Sequence, residues 1–96
     1  MKVHEVIFEQ LGGSAFQAMT GAKDILFDST GIQFRVGRNP KRVTHVRITL
    51  DPSDTYTVEF FRIRKLELIP VSSFELVYFD MLQPLFTSET GLETHL

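Results

Sequence analysis

The chain opens with helical spacing. Val3, Ile7 and Leu11 recur four apart with Val6 between them, which lines one face of a helix over VHEVIFEQLGG. Gly12 follows as a natural C-terminal residue, since glycine enters the left-handed region without steric cost. A short strand over VHEVIF is the competing reading. Ser14 and Gln17 then form a candidate capping box for a second short helix, AFQAM, that ends near Gly21.

From Lys23 the period changes to two. DILF, IQFRV, VTHVRITL and TYTVEFF alternate apolar and polar positions, separated by DSTG, RNPKR and DPSD. Three turns joining four alternating strands predict an antiparallel meander. In DSTG, Asp28 favours a type I turn and Gly31 the left-handed residue of a bulge. Within that first hairpin, Ile25 with Phe27 and Leu26 alone are competing inward sets.

Keeping apolar residues on one face fixes a register for each later hairpin. For the last one, Leu50–Tyr56, Ile48–Val58 and Val46–Phe60 pair inward, Thr49–Thr57 and Arg47–Glu59 outward, and Asp54 takes a left-handed turn position. For the middle one, Val36–Val46, Phe34–Ile48 and Ile32–Leu50 pair inward. That leaves Arg35–Arg47, Gln33–Thr49 and Gly37–His45 outward, so the outer row is expected to run Arg35–Arg47–Glu59. Continuing the same parity past Phe60 would bury Arg62 and Arg64, which unpaired charges cannot tolerate. A bulge at Phe60–Phe61, or the end of the ladder, resolves the conflict. KLELIP then runs extended to Pro70 as a candidate fifth strand.

The pattern becomes helical again at SSFE, with Ser72 as N-cap and Glu75 three residues on. Phe74, Val77, Tyr78, Met81, Leu82 and Leu85 form one stripe, and Leu76, Phe79 and Phe86 a second. The first stripe is expected in the core. Pro84 is expected to kink or stop this helix, Gly91 to turn the chain, and the tail ETHL to fray unless it docks. The predicted fold class is therefore α+β: a four- or five-stranded antiparallel meander with N-terminal and C-terminal helices on one face.

Length and composition narrow this further. Ninety-six residues make one domain, and nine phenylalanines predict a core built on aromatic packing. The absence of cysteine excludes disulfides and thiolate chemistry. His4 and Glu5 stand where a secretory signal would be apolar, and no apolar run approaches the ~20 residues that span a bilayer. The expectation is a soluble, cytoplasmic protein with no membrane partner.

Charge changes the picture most. The chain carries a formal net charge of −2, but eight of its ten basic residues fall between positions 35 and 65. They are Arg35, Arg38, Lys41, Arg42, Arg47, Arg62, Arg64 and Lys65, against only Asp51, Asp54 and Glu59. A one-sided basic segment is the footprint of an acidic partner, most commonly nucleic acid. The start of the third strand lies beside the end of the fourth, so Arg62, Arg64 and Lys65 should approach the 38–42 tip. His45 and Phe61 lie nearby, where aromatic rings can stack on unpaired bases, so single strands are favoured over duplex. A solvated sheet face on which Glu59 neutralises Arg47 is the plainer alternative.

Catalytic patterns are absent. His4, His45 and His95 fall in separate elements without metal-ligand spacing, and Ser14, Ser72 and Ser73 read as caps. LGGS is too short for a phosphate loop and no lysine follows it. No enzyme activity, metal or cofactor is expected.

LGG with Phe16 and MTGAK near the start, and DMLQ followed by PLFTSETGLETHL at the end, resemble a group of small uncharacterised proteins encoded by bacteriophages, prophages and conjugative elements. The resemblance covers most of the chain and is firmest at its two ends; Pro84 departs from it. It implies a mobile-element setting and no particular chemistry. Together the readings point to a small binding module that contacts nucleic acid through a basic sheet face. The alternative is a module that binds and blocks a partner protein, or forms a homodimer, through the apolar C-terminal helix.

Overall fold

A computed structural model describes residues 2–94. Over those residues two helices, α1 (Val3–Leu11) and α2 (Gly13–Thr20), precede strands β1 (Lys23–Phe27), β2 (Gly31–Arg35), β3 (His45–Leu50), β4 (Tyr56–Arg64) and β5 (Glu67–Val77). A single 3₁₀ turn, Phe79–Met81, leads into α3 (Leu82–Thr90). The five strands form one antiparallel sheet in sequence order. The helices cover one face, giving the α+β fold that the pattern predicts, and β5 is the fifth strand.

Alternation explains the core. Ile32, Phe34, Val46, Ile48, Val58 and Phe60 point to the helices and are buried, as are Ile7 and Leu11 of α1. Phe16 of α2 sits at the centre, edge-on to Phe34 at 5.5 Å and to Phe86 of α3 at 5.1 Å between ring centroids. Edge-to-face contacts of this kind add to the area they bury. Polar ties close the layer: Tyr56 donates its hydroxyl to Gln10 Oε1 of α1 at 2.6 Å, and Ser72 to Glu89 Oε1 of α3 at 2.9 Å. Burial pushes the Tyr56 hydroxyl pKa up, which the Gln10 bond opposes.

The β3–β4 ladder has the expected register throughout, and Asp54 is left-handed at φ 63°. The bulge at Phe60–Phe61 is present in the pairing with β5. It lets both phenylalanines be buried while Arg64 emerges to solvent. In the first hairpin Phe27 pairs with Ile32 and stacks on His4 of α1, so Ile25 and Phe27 form the helix-side set.

Five expectations need correction. The β2–β3 ladder is shifted by two residues: Phe34 pairs with Val46, Arg35 with His45 and Gln33 with Arg47. The outer row is therefore Gln33–Arg47–Glu59. A shift of two preserves every inward residue, so parity cannot distinguish the two registers. Gly31 is not left-handed; it is small because β3 passes beside it. A Cβ there would lie 2.2 Å from the Ile48 carbonyl oxygen. Ser14 caps nothing, since α2 begins at Gly13 without a side-chain cap.

The fourth correction is the largest. Ser72–Val77 is strand, not helix. Ser72 and Phe74 pair with the inward residues Phe60 and Val58 of β4, whose apolar side chains need a neighbouring strand. Two register shifts along this ladder spoil the alternation, leaving apolar residues at spacings that mimic a helix. Val77 and Leu82 are buried as expected, but Phe74 is only half-buried and Tyr78 and Met81 are exposed. Finally, Pro84 lies in the first turn of α3 and the helix runs past it to Thr90. First-turn amides have no intrahelical acceptor, so a proline there removes no hydrogen bond.

The tail does not fray as far as it is described: Thr94 is buried and donates to Gln83 Oε1 at 2.9 Å. His95 and the last residue lie outside the described residues.

Candidate nucleic-acid interface

The basic tip is a loop, 36–44, built around a buried asparagine. Asn39 donates through Nδ2 to the carbonyls of Gly37 (2.9 Å) and Val43 (2.7 Å) and accepts the Val43 amide (3.1 Å) through Oδ1. Its own carbonyl accepts the Arg42 amide at 3.1 Å. Four bonds from one residue turn an irregular loop into a fixed one, and Val36 N–H to Thr44 O (2.9 Å) closes its base.

The loop is also docked on the helix ends. Both α2 and α3 finish in Thr-Gly. Thr20 and Thr90 each donate a hydroxyl to the carbonyl four residues back, Phe16 and Phe86, at 2.8 Å. The glycine after each is left-handed, φ 69° at Gly21 and 80° at Gly91, the usual device for ending a helix. The Gly37 amide donates to Thr20 O at 2.8 Å, and a Cβ on Gly91 would lie 3.2 Å from the ring of Pro40. Helix C-termini carry partial negative charge, which suits a basic loop.

The facing wall comes from β4. It continues past the first β3 residue, His45, which pairs with Phe61. Arg62 Nε donates to the Arg42 carbonyl at 2.8 Å, and the Ile63 amide to Thr44 Oγ1 at 2.9 Å. Between loop and strand lies an open cleft of about 390 Å³, lined by Arg35, Arg38, Arg42, Arg62 and Arg64 with no acidic side chain in its wall. Two stretches of chain distant in sequence, 35–42 and 62–64, supply these five arginines.

The remaining candidates fall elsewhere. Arg47 pairs with Asp28 at 3.0 Å on the open sheet face, so Asp28 rather than Glu59 neutralises it. Asp28 also accepts the amides of Thr30 (2.9 Å) and Gly31 (3.0 Å). The Thr30 amide first, and the Arg47 guanidinium next, hold its carboxyl well below the usual carboxylate range. Lys41 lies exposed on the loop and Lys65 in the β4–β5 turn, neither of them in the cleft wall. His45 stacks on Phe61 at 5.6 Å with 13° between planes, and Phe61 is only 7% exposed. Its ring is therefore occupied. Burial, and then the Arg35 charge, lower the His45 pKa.

Asn39 and Thr44 were not singled out by charge or periodicity, yet they position the arginines. The Asn-Pro pair at 39–40, a turn-initiating dipeptide, is the signal that marks the loop's organising residue. Among the described residues no group of three or more His, Asp or Glu could hold a metal ion, and no helix is long and apolar enough to cross a membrane. What the cleft offers is multidentate recognition of anions: guanidinium forks match phosphate oxygens in pairs. Compared with known proteins, the chain matches no family model, curated protein or solved structure.

Proposed function

We propose that the protein is a small non-enzymatic module of a phage or other mobile element that binds nucleic acid by gripping its phosphate backbone in the arginine cleft. The convergence of five arginines from two distant stretches of chain on one acid-free cleft supports this reading. Like charges held together are mutually unfavourable unless an anion sits among them. Here hydrogen bonds donated by Asn39 and Arg62, and one accepted by Thr44 from the Ile63 amide, hold the walls in place. Arginines on a merely solvated face would have no need of such bracing. With Phe61 buried, stacking on that ring does not contribute, and the backbone contacts carry the binding.

A second reading rests on a different surface. Leu76, Tyr78 and Phe79 are each more than half exposed where β5 passes into the 3₁₀ turn, an apolar strip suited to a partner protein or a second copy of the chain. Salt separates the two readings, since phosphate contacts weaken steeply with ionic strength and apolar contacts do not.

The test is fluorescence anisotropy with a labelled oligonucleotide at low and moderate salt. Binding should weaken with salt and weaken further in an Arg35→Ala, Arg64→Ala double variant that still folds. Arg47→Ala, which lies outside the cleft, should bind as the wild type does. No binding at low salt overturns the reading in favour of the apolar strip.

A further inference from the structure

The end of the β4–β5 hairpin is not explained by folding. Arg64 pairs with Glu67, so Lys65 and Leu66 alone make the turn, and both are left-handed at φ 50° and 67°. Two-residue turns of this kind favour Asn-Gly or Gly-Gly, because a Cβ is strained at both positions. A leucine here accepts that strain and gains nothing from burial: Leu66 is fully exposed. Just behind it Ile63 and Leu68 face each other across the hairpin, 39% and 57% exposed. Arg62 and Arg64 occupy the neighbouring positions of the same strand and line the cleft.

From this geometry we propose that the β4–β5 hairpin is an arm that enters a groove of duplex nucleic acid and wedges Leu66 between base pairs while the cleft holds the backbone. The inference rests on the backbone reading above and adds the form of the partner. Two-stranded ribbons fit nucleic-acid grooves, and apolar side chains inserted at base steps partly unstack and bend the duplex. Beyond Ile63, whose amide is held by Thr44, the arm projects about 7 Å at strand rise, and the Leu66 side chain extends it further. Groove depths of about 7.5–8.5 Å are within that reach. Lys65 directly precedes the wedge and meets a phosphate, and Arg64, one residue behind it and opposite Glu67, meets the backbone held in the cleft. A bilayer is the less suitable partner, because membrane insertion scales with apolar area and the hairpin end offers only Leu66 with the partly exposed Ile63 and Leu68 behind it.

The experiment pairs anisotropy with a fluorescent adenine analogue inside a duplex, whose emission rises on unstacking. Leu66→Gly is the chosen variant, since glycine suits the turn and its thermal melt should match the wild type. The wild type should raise the emission. Leu66→Gly should lose that rise, stay salt-sensitive and bind less than about tenfold more weakly, because phosphate contacts supply most of the affinity. An equal emission rise in both proteins overturns the wedge and leaves the backbone reading intact. So does binding to single strands only. No oligonucleotide binding at low salt overturns both. Anionic phosphatidylserine vesicles bound in place of duplex, with loss in Leu66→Gly, assign the tip to membranes instead and overturn the proposal.

Discussion

The two ends of β4 live in opposite environments. Val58 and Phe60 lie under the helices, enclosed by Phe74, Phe86 and the strands on either side. Arg62 to Arg64 run past the end of β3, with β5 on one side and the 36–44 loop on the other, and the turn that follows is bare. One bulge separates the two regimes. At the covered end, stability follows from apolar area removed from water, and polar groups appear only as ties. At the bare end, charge is concentrated, apolar side chains face solvent and the backbone is strained. A region with those properties contributes little to folding and is better understood by what it contacts.

The difference predicts a graded set of outcomes. The largest effect lies at the covered end, where Phe16→Ala should cost about 3–5 kcal/mol, as for a buried phenylalanine truncated in a packed core. Leu82→Ala should cost about 2–5 kcal/mol by the same mechanism. A thermal melt by circular dichroism measures both, and an unchanged midpoint for Phe16→Ala would remove it from the core. Asn39→Ala comes next, because it leaves the Gly37 and Val43 carbonyls and the Val43 amide without their partner. A loss of about 1–3 kcal/mol is expected for unsatisfied groups of this kind. Its distinctive readout is oligonucleotide affinity, which should fall even well below the melting temperature as the loop loosens.

How much of this was legible follows from which rule each element obeys. The β3–β4 hairpin was readable because inward parity and the Asp54 turn agree on one register. The β2–β3 hairpin was not, because registers two apart bury the same side chains, and the choice falls to Asn39 stitching a loop whose bonds no periodicity encodes. Phe60 followed by Phe61 announced its bulge through the cost of burying Arg62 and Arg64. Ser72–Val77 misled because bulges on both sides of Phe74 break the two-residue period, and only the exposed flank of β4 requires a strand there. The arginine cleft was half legible. Antiparallel pairing brings the end of β4 to the start of β3, which gathers Arg62 and Arg64 with the tip, but Arg47 was assigned to that group on a register that does not form. Its partnership with Asp28, across the first turn, depends on the Asx geometry of that turn.

That partnership supplies a smaller, pH-dependent prediction. The Asp28 pKa is lowered from 3.8 in the folded chain, chiefly by the Thr30 amide and then by Arg47. A group with a lowered folded pKa adds stability above its unfolded value and loses it as pH falls toward the folded one. Urea midpoints should therefore drop for the wild type below about pH 4, near the ordinary aspartate pKa. Asp28→Asn should show a shallower acid limb and little change near neutrality, since the group is exposed and screened. An identical acid limb in both proteins would mean that Asp28 keeps the same pKa unfolded.

The central claim is that the bare end of the sheet is a phosphate-binding surface, and the salt dependence of oligonucleotide binding tests it most directly. The slope of log affinity against log salt counts the phosphates engaged. For Arg38→Ala and Arg64→Ala it should fall by about one for each arginine removed, and for Arg47→Ala it should stay at the wild-type value. A slope equally reduced by Arg47→Ala, or untouched by either cleft variant, would contradict the account.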